Sequence, residues 1–139
     1  MATFNKFNCF VEDLAEKVHN LGSDTLKIML TNSAPSASNT VKTDITEISA
    51  GNGYTAGGHA TSASSSAQTS GTYKLVLSDV VISASGGSIG PFRYVVLYND
   101  TSASDSLIAW ADYGSSITAA SGETFTVDFD ASNGAIQIA

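Results

Sequence analysis

A single cysteine, Cys9, stands among 139 residues. That scarcity excludes an intrachain disulfide and any zinc site built from cysteines alone. Its neighbours Phe7, Phe10 and Val11 predict a small buried hydrophobe rather than a reactive thiol. Charge is scarce too: 14% of residues are charged, against roughly 25% in an ordinary soluble domain. The surface is therefore expected to consist largely of Ser, Thr, Asn, Gly and Ala, or to be covered in part by partners. Basic residues are the rarer sign, with 6 Lys and Arg against 13 Asp and Glu and a formal charge of -7. Such a field repels phosphate backbones and anionic headgroups, so neither nucleic acid nor a membrane surface is an expected partner. No apolar run approaches the roughly 20 residues that cross a bilayer. Glu12, Asp13 and Glu16 fall where a signal peptide would carry its apolar segment, which predicts synthesis in a cytoplasm without export by that route.

What is present is a 42% hydrophobic fraction and the length of one domain, residues 1–139, long enough for a core without disulfides or metals. Phe4, Phe7, Val11, Leu14, Val18 and Leu21 recur at spacings of three and four, with Gly22 after them where a C-cap belongs. This predicts an amphipathic N-terminal helix over about residues 8–20, packed against a sheet. Beyond Gly22 the period becomes two. Strands are expected over 25–31 and, within 73–138, over 73–77 running on through 80–83, 92–98, 107–112, 125–129 and 135–138. Turn chemistry such as Ser85-Gly86-Gly87 and Ser132-Asn133-Gly134 bounds them. Phe125, Val127 and Phe129 alternate with Thr126, Asp128 and Asp130, the pattern of an antiparallel strand with one wet face. The predicted class is mainly β: an antiparallel β-sandwich or jelly roll with one N-terminal helix. Residues 32–72 contain few bulky apolar side chains, and no formal charge lies between Glu47 and Lys74. They are read as a long polar arm, ordered by packing or by a partner through Val41, Ile45, Ile48 and Tyr54.

Chemical motifs are weak. Gly51-Asn52-Gly53-Tyr54-Thr55-Ala56 fits the dinucleotide string G-x-G-x-x-A, yet Gly57, Gly58 and a Ser-rich run follow it where a helix must start. A glycine turn needing positive φ or a close backbone approach is the better reading. Asp128, Asp130 and Asn133 before Gly134 suggest a calcium loop, but the distant glutamate of an EF-hand is missing. His19 and His59 lie in different regions without metal-ligand spacing; His19 is expected to cap the helix end or face solvent. The serines read as loop material rather than nucleophiles. A hydrolase would have to use Asp112 with Asp128 or Asp130. Trp110 reads as a core residue, with an exposed binding aromatic as its alternative. The expectation is a non-enzymatic chain with no catalytic, cofactor or metal residues.

The stretch Ile108-Ala109-Trp110-Ala111-Asp112-Tyr113-Gly114, with Ser121-Gly122-Glu123-Thr124-Phe125-Thr126-Val127-Asp128-Phe129 and Asn133-Gly134-Ala135-Ile136, resembles small virion structural proteins of tailed phages. Ile45 to Gly58 adds to the likeness. Membership would imply a capsid decoration or cement protein on the outside of the phage head, binding the major capsid protein and sister copies of itself. Its oligomer would be a dimer or a trimer. The alternative is a tail, fibre or head-completion module that binds a host glycan or receptor through Tyr54, Tyr98, Trp110 or Tyr113.

Overall fold

A computed structural model describes residues 3–139. The elements follow in order: β1 (Asn5–Lys6), α1 (Cys9–Ala15), β2 (Leu26–Thr31), a 3-10 turn (Lys42–Asp44), β3 (His59–Thr61), β4 (Ala63–Thr69), β5 (Thr72–Leu77), β6 (Val80–Ser83), β7 (Ile89–Asn99), β8 (Leu107–Ala119), β9 (Thr124–Val127) and β10 (Ile136–Ile138). Strands hold 47% of residues and helix 7%, so the protein is mainly β. Every strand pairing is antiparallel.

Three sheets form, with orders β1-β8-β7-β2-β3, β10-β5-β4 and β6-β9. One large core draws on all three: Ile28, Leu30, Val95, Leu97 and Ala109 from the first, Leu75, Leu77 and Ile136 from the second, and Ile82 and Val127 from the third. The central strands of the large sheet read as near-continuous apolar runs because both of their faces are covered. Met29, Val96, Tyr98 and Leu107 point to the other face and pack with Phe7, Trp110 and Ile45 in a second, smaller cluster.

Two expectations change. The helix is shorter than the apolar spacing suggested, because Phe4 and Phe7 precede it and Val18 and Leu21 follow it; Phe4, Phe7 and Leu21 pack on the core clusters from irregular chain, and Val18 lines a surface groove. Val11, the stripe's central member, is 63% exposed. Lys17, not Gly22, takes the left-handed conformation (φ 68°) that stops the helix. Val18 N–H reaches the Asp13 carbonyl (2.8 Å) and Lys17 N–H the Leu14 carbonyl (3.3 Å), the paired bonds of a Schellman stop.

The second change concerns residues 32–72, which are not one arm. Residues 32–58 fold back on the large sheet, with Ile45 packed on the smaller cluster and Ile48 and Tyr54 on the large core. Asn8 N–H bonds to Ala37, Leu107 N–H to Thr40, and Val41 bridges Ser106. Residues 59–69 form β3 and β4. The Ser-rich run is therefore a strand, closed onto β5 by the two-residue turn Ser70-Gly71, both at positive φ.

Candidate interaction surface

The end of β2 shows how the folded-back segment is held. β3 pairs only with Leu26–Ile28, which leaves the backbone of Met29–Thr31 to find other partners. Leu30 N–H donates to the Tyr54 hydroxyl (3.0 Å), and Ile48 N–H donates to the Leu30 carbonyl (3.1 Å). The Tyr54 hydroxyl donates in turn to Glu47, whose carboxylate also accepts Gly57 N–H (2.9 Å). Tyr98 closes the network by donating to the Gly57 carbonyl. Burial and the neighbouring Glu47 carboxylate push the Tyr54 phenol well above its ordinary value, so it remains a donor. Gly58 needs its lack of a side chain: at φ +85°, a Cβ would fall 1.8 Å from the Ile28 carbonyl oxygen.

The sequence candidates scatter over the fold. Gly51 and Tyr54 bridge each other around Asn52 and Gly53, and a Cβ on Gly53 would meet the Ser83 carbonyl at 2.1 Å, so this string is a close-packed turn. Asp130 accepts Ser132 N–H and Asn133 N–H, both at 2.8 Å, and thus organises its own turn. Asp112 is gripped by Arg93 across the β7–β8 pair at 2.8 and 3.0 Å, which lowers the carboxyl's proton affinity. These two carboxylates serve different local structures. Among the described residues no group of three or more His, Cys, Asp or Glu is placed to hold a metal ion.

Cys9 is half-buried, and burial together with Asp13 pushes its thiol up to about 11. His19 departs from expectation. It lies beyond the helix end, is 5% exposed, and stacks on Phe10 at 5.5 Å. Its Nδ1 pairs with Asn99 Nδ2 (3.0 Å), and Nε2 sits 3.9 Å from Asp13 with no hydrogen bond. Burial pushes its proton affinity down, against the pull of Asp13 and Asp24. Of the four aromatics considered for glycan contact, Tyr54 and Tyr98 are buried. Trp110 packs on Phe7 at 4.6 Å and Tyr113 on Phe125 at 5.3 Å, so both are partly covered.

One motif escaped the sequence reading: Gly86-Gly87-Ser88-Ile89-Gly90 fits the G-x-S-x-G string of a nucleophile elbow. That device needs a strand-to-helix turn. Here the segment joins β6 to β7, strand to strand, and the Ser88 carbonyl accepts from Asn52 Nδ2 (3.0 Å).

The feature that sequence periodicity could not reveal is β4. All seven of its residues, Ala63 to Thr69, are exposed. It lies at the edge of its sheet, with β5 on one side. Beside it runs a groove of about 570 Å³, with apolar walls from Leu14, Val18, Leu21, Tyr73 and Ile138 and with Ser66 at its margin. Ser66 reaches the Tyr73 hydroxyl at 2.8 Å, so its side chain lies on the groove side. A second groove, of about 310 Å³, separates the loop 21–25 from residues 61–63 at the start of the strand. An uncharged, extended, hydrogen-bonding edge flanked by grooves is suited to receiving another polypeptide. Comparison with known proteins found no matching family model, no matching curated protein and no matching solved structure.

Proposed function

We propose that this chain is a structural virion protein, a decoration or cement subunit that binds the major capsid protein on the phage head and stabilises the shell through non-covalent contacts. The observation that carries the reading is β4, an edge strand with no charged residue and every residue exposed. Uncharged surface loses little on desolvation, and backbone groups at a free edge gain partners when covered. The likeness of residues 108–114, 121–129 and 133–136 to small phage virion proteins supplies the setting. Cementing needs no catalysis: a protein that binds the mature shell stabilises it by mass action. In this reading the sheets form a β-sandwich of jelly-roll character. The helix α1 is amphipathic, turning Phe10 inward and Val11 and Glu12 outward.

The test is cryo-electron microscopy of purified particles from the source phage. Regular density for this chain bridging capsid subunits is expected. Density confined to the tail or fibres would transfer the protein to that class, and absence from the particle would end the virion reading. For the surface itself, Ser65→Glu with Thr69→Glu places charge on exposed positions of β4 and is expected to weaken capsid binding while leaving the circular dichroism unchanged. Deletion of residues 60–70 is a poorer probe, because it strips β5 of its partner along the ladder from Thr72 to Leu77.

A further inference from the structure

Among the described residues the other strands that end a sheet are short: β1 has two residues, β3 and β10 three each, and β6 and β9 four each, while the stretch of β8 beyond its two-residue pairing with β1 carries the charge of Asp112. Short edges are how natural sheets avoid unwanted pairing. At seven residues β4 is the longest strand that ends a sheet, and it carries neither a proline nor a charge to block a partner. Its only irregularity is a bulge between Ala63 and Ser65.

We propose that β4 is the seam of a two-fold homodimer, in which Ala63–Thr69 pairs antiparallel with the same strand of a second copy. The inference rests on reading β4 as an assembly edge: it gives that edge to a sister copy, and the resulting dimer, through the rest of its surface, is what binds the capsid. Charge selects the occupant. The molecule carries a formal charge of -7, so two copies repel over most approaches, whereas residues 48–73 contain no Asp, Glu, Lys or Arg. A two-fold axis through this strand sets an uncharged segment against itself and creates no like-charge pair. A partner recruited by opposite charge would find no attraction here.

Register follows from the turn. Thr69 and Thr72 close the two-residue loop and so form a hydrogen-bonded pair. Alternation then directs the backbone of Ala67 and Ser65 toward β5, and that of Ser66 and Gln68 outward. Pairing centred on Ser66 sets Ser66 against its own copy, Ser65 opposite Ala67 and Ser64 opposite Gln68. Small side chains keep both faces clear, and two three-stranded sheets become one of six strands.

The intact chain is to be examined by analytical ultracentrifugation over a range of concentrations, where a monomer–dimer equilibrium is expected. In a Cys9→Ala background, Ser66→Cys should yield a disulfide-linked dimer under mild oxidation, because hydrogen-bonded partners sit within disulfide reach. The exposed loop variant Ser121→Cys should not. Ser66→Pro, which removes an outward N–H, should abolish the dimer. A monomer at every concentration overturns the proposal, as does a dimer that links through residue 121 rather than 66. The particle assay separates the two readings. A monomer that still decorates particles removes the seam alone, and a linked dimer absent from particles removes the virion reading alone.

Discussion

Tyr54, 2% exposed, joins two parts of the molecule through one oxygen, accepting from Leu30 N–H and donating to Glu47. Tyr54→Phe keeps the ring and removes the junction. The variant is expected to lose about 1–3 kcal/mol of stability, the cost of a buried donor and a carboxylate left without their partner; a denaturant midpoint equal to wild type would refute the pinning role. Gly58→Ala should lose more, about 3 kcal/mol or above, since the methyl must displace the Ile28 carbonyl at a strained φ. His19 gives a pH signature. Its folded proton affinity lies below the ordinary value of 6.5, so the unfolded chain takes up the proton first. Stability is then complete above that value and falls as the pH drops through it toward the folded value. His59, also depressed by burial, adds to the same window. Urea midpoints at about pH 7.5 and about pH 5 should show the fall. His19→Gln should flatten it in part, and an unaltered slope in that variant would contradict the assignment.

At the level of elements, the strands of the core were legible because burial wrote itself into the sequence. Val95 to Tyr98 and Leu107 to Ala109 are apolar runs because layers cover both faces, and Phe125 and Val127 alternate with exposed threonines. β4 was illegible for the opposite reason: with both faces wet, Ser-Ala repetition carries no period, and only the turn at Ser70-Gly71 hinted at a hairpin. The candidate surface was thus visible as a region between residues 32 and 72 but not as an edge. The N-terminal spacing misled because residues at three- and four-fold intervals reach the interior from helix and irregular chain alike: Phe4, Leu14 and Leu21 pack on the large core and Phe7 on the smaller cluster. Where the helix stops is testable. Lys17→Gly relieves a left-handed conformation costing an L-residue about 1–2 kcal/mol, against about 0.5–1 kcal/mol of glycine's extra chain entropy. A net gain of about 0.5–1 kcal/mol in unfolding free energy is expected. A loss would argue that Lys17 contributes contacts of its own.

Over the whole molecule, acidity and the neutral seam act against each other. Net repulsion between copies is long-ranged and screened by salt, while the backbone pairing at β4 is not. Raising the ionic strength from about 0.01 M to about 0.15 M, which shortens the screening length from roughly 30 Å to roughly 8 Å, should therefore tighten the dimer. Weakening by salt in the ultracentrifuge would instead indicate an ionic interface.

The first strand of the chain finds its partner near the last third: Asn5 pairs with Trp110, and Phe7 N–H bonds to Ile108. On the ribosome, the N-terminal segment must wait, unpaired, until more than a hundred residues have been made. Contacts this distant in sequence place folding on the slow side for a domain of this size, in the range of roughly milliseconds to seconds. Trp110, stacked on Phe7, is a built-in reporter of that late event. Its fluorescence in stopped-flow refolding should reach the native signal only as the N-terminal strand closes onto β8.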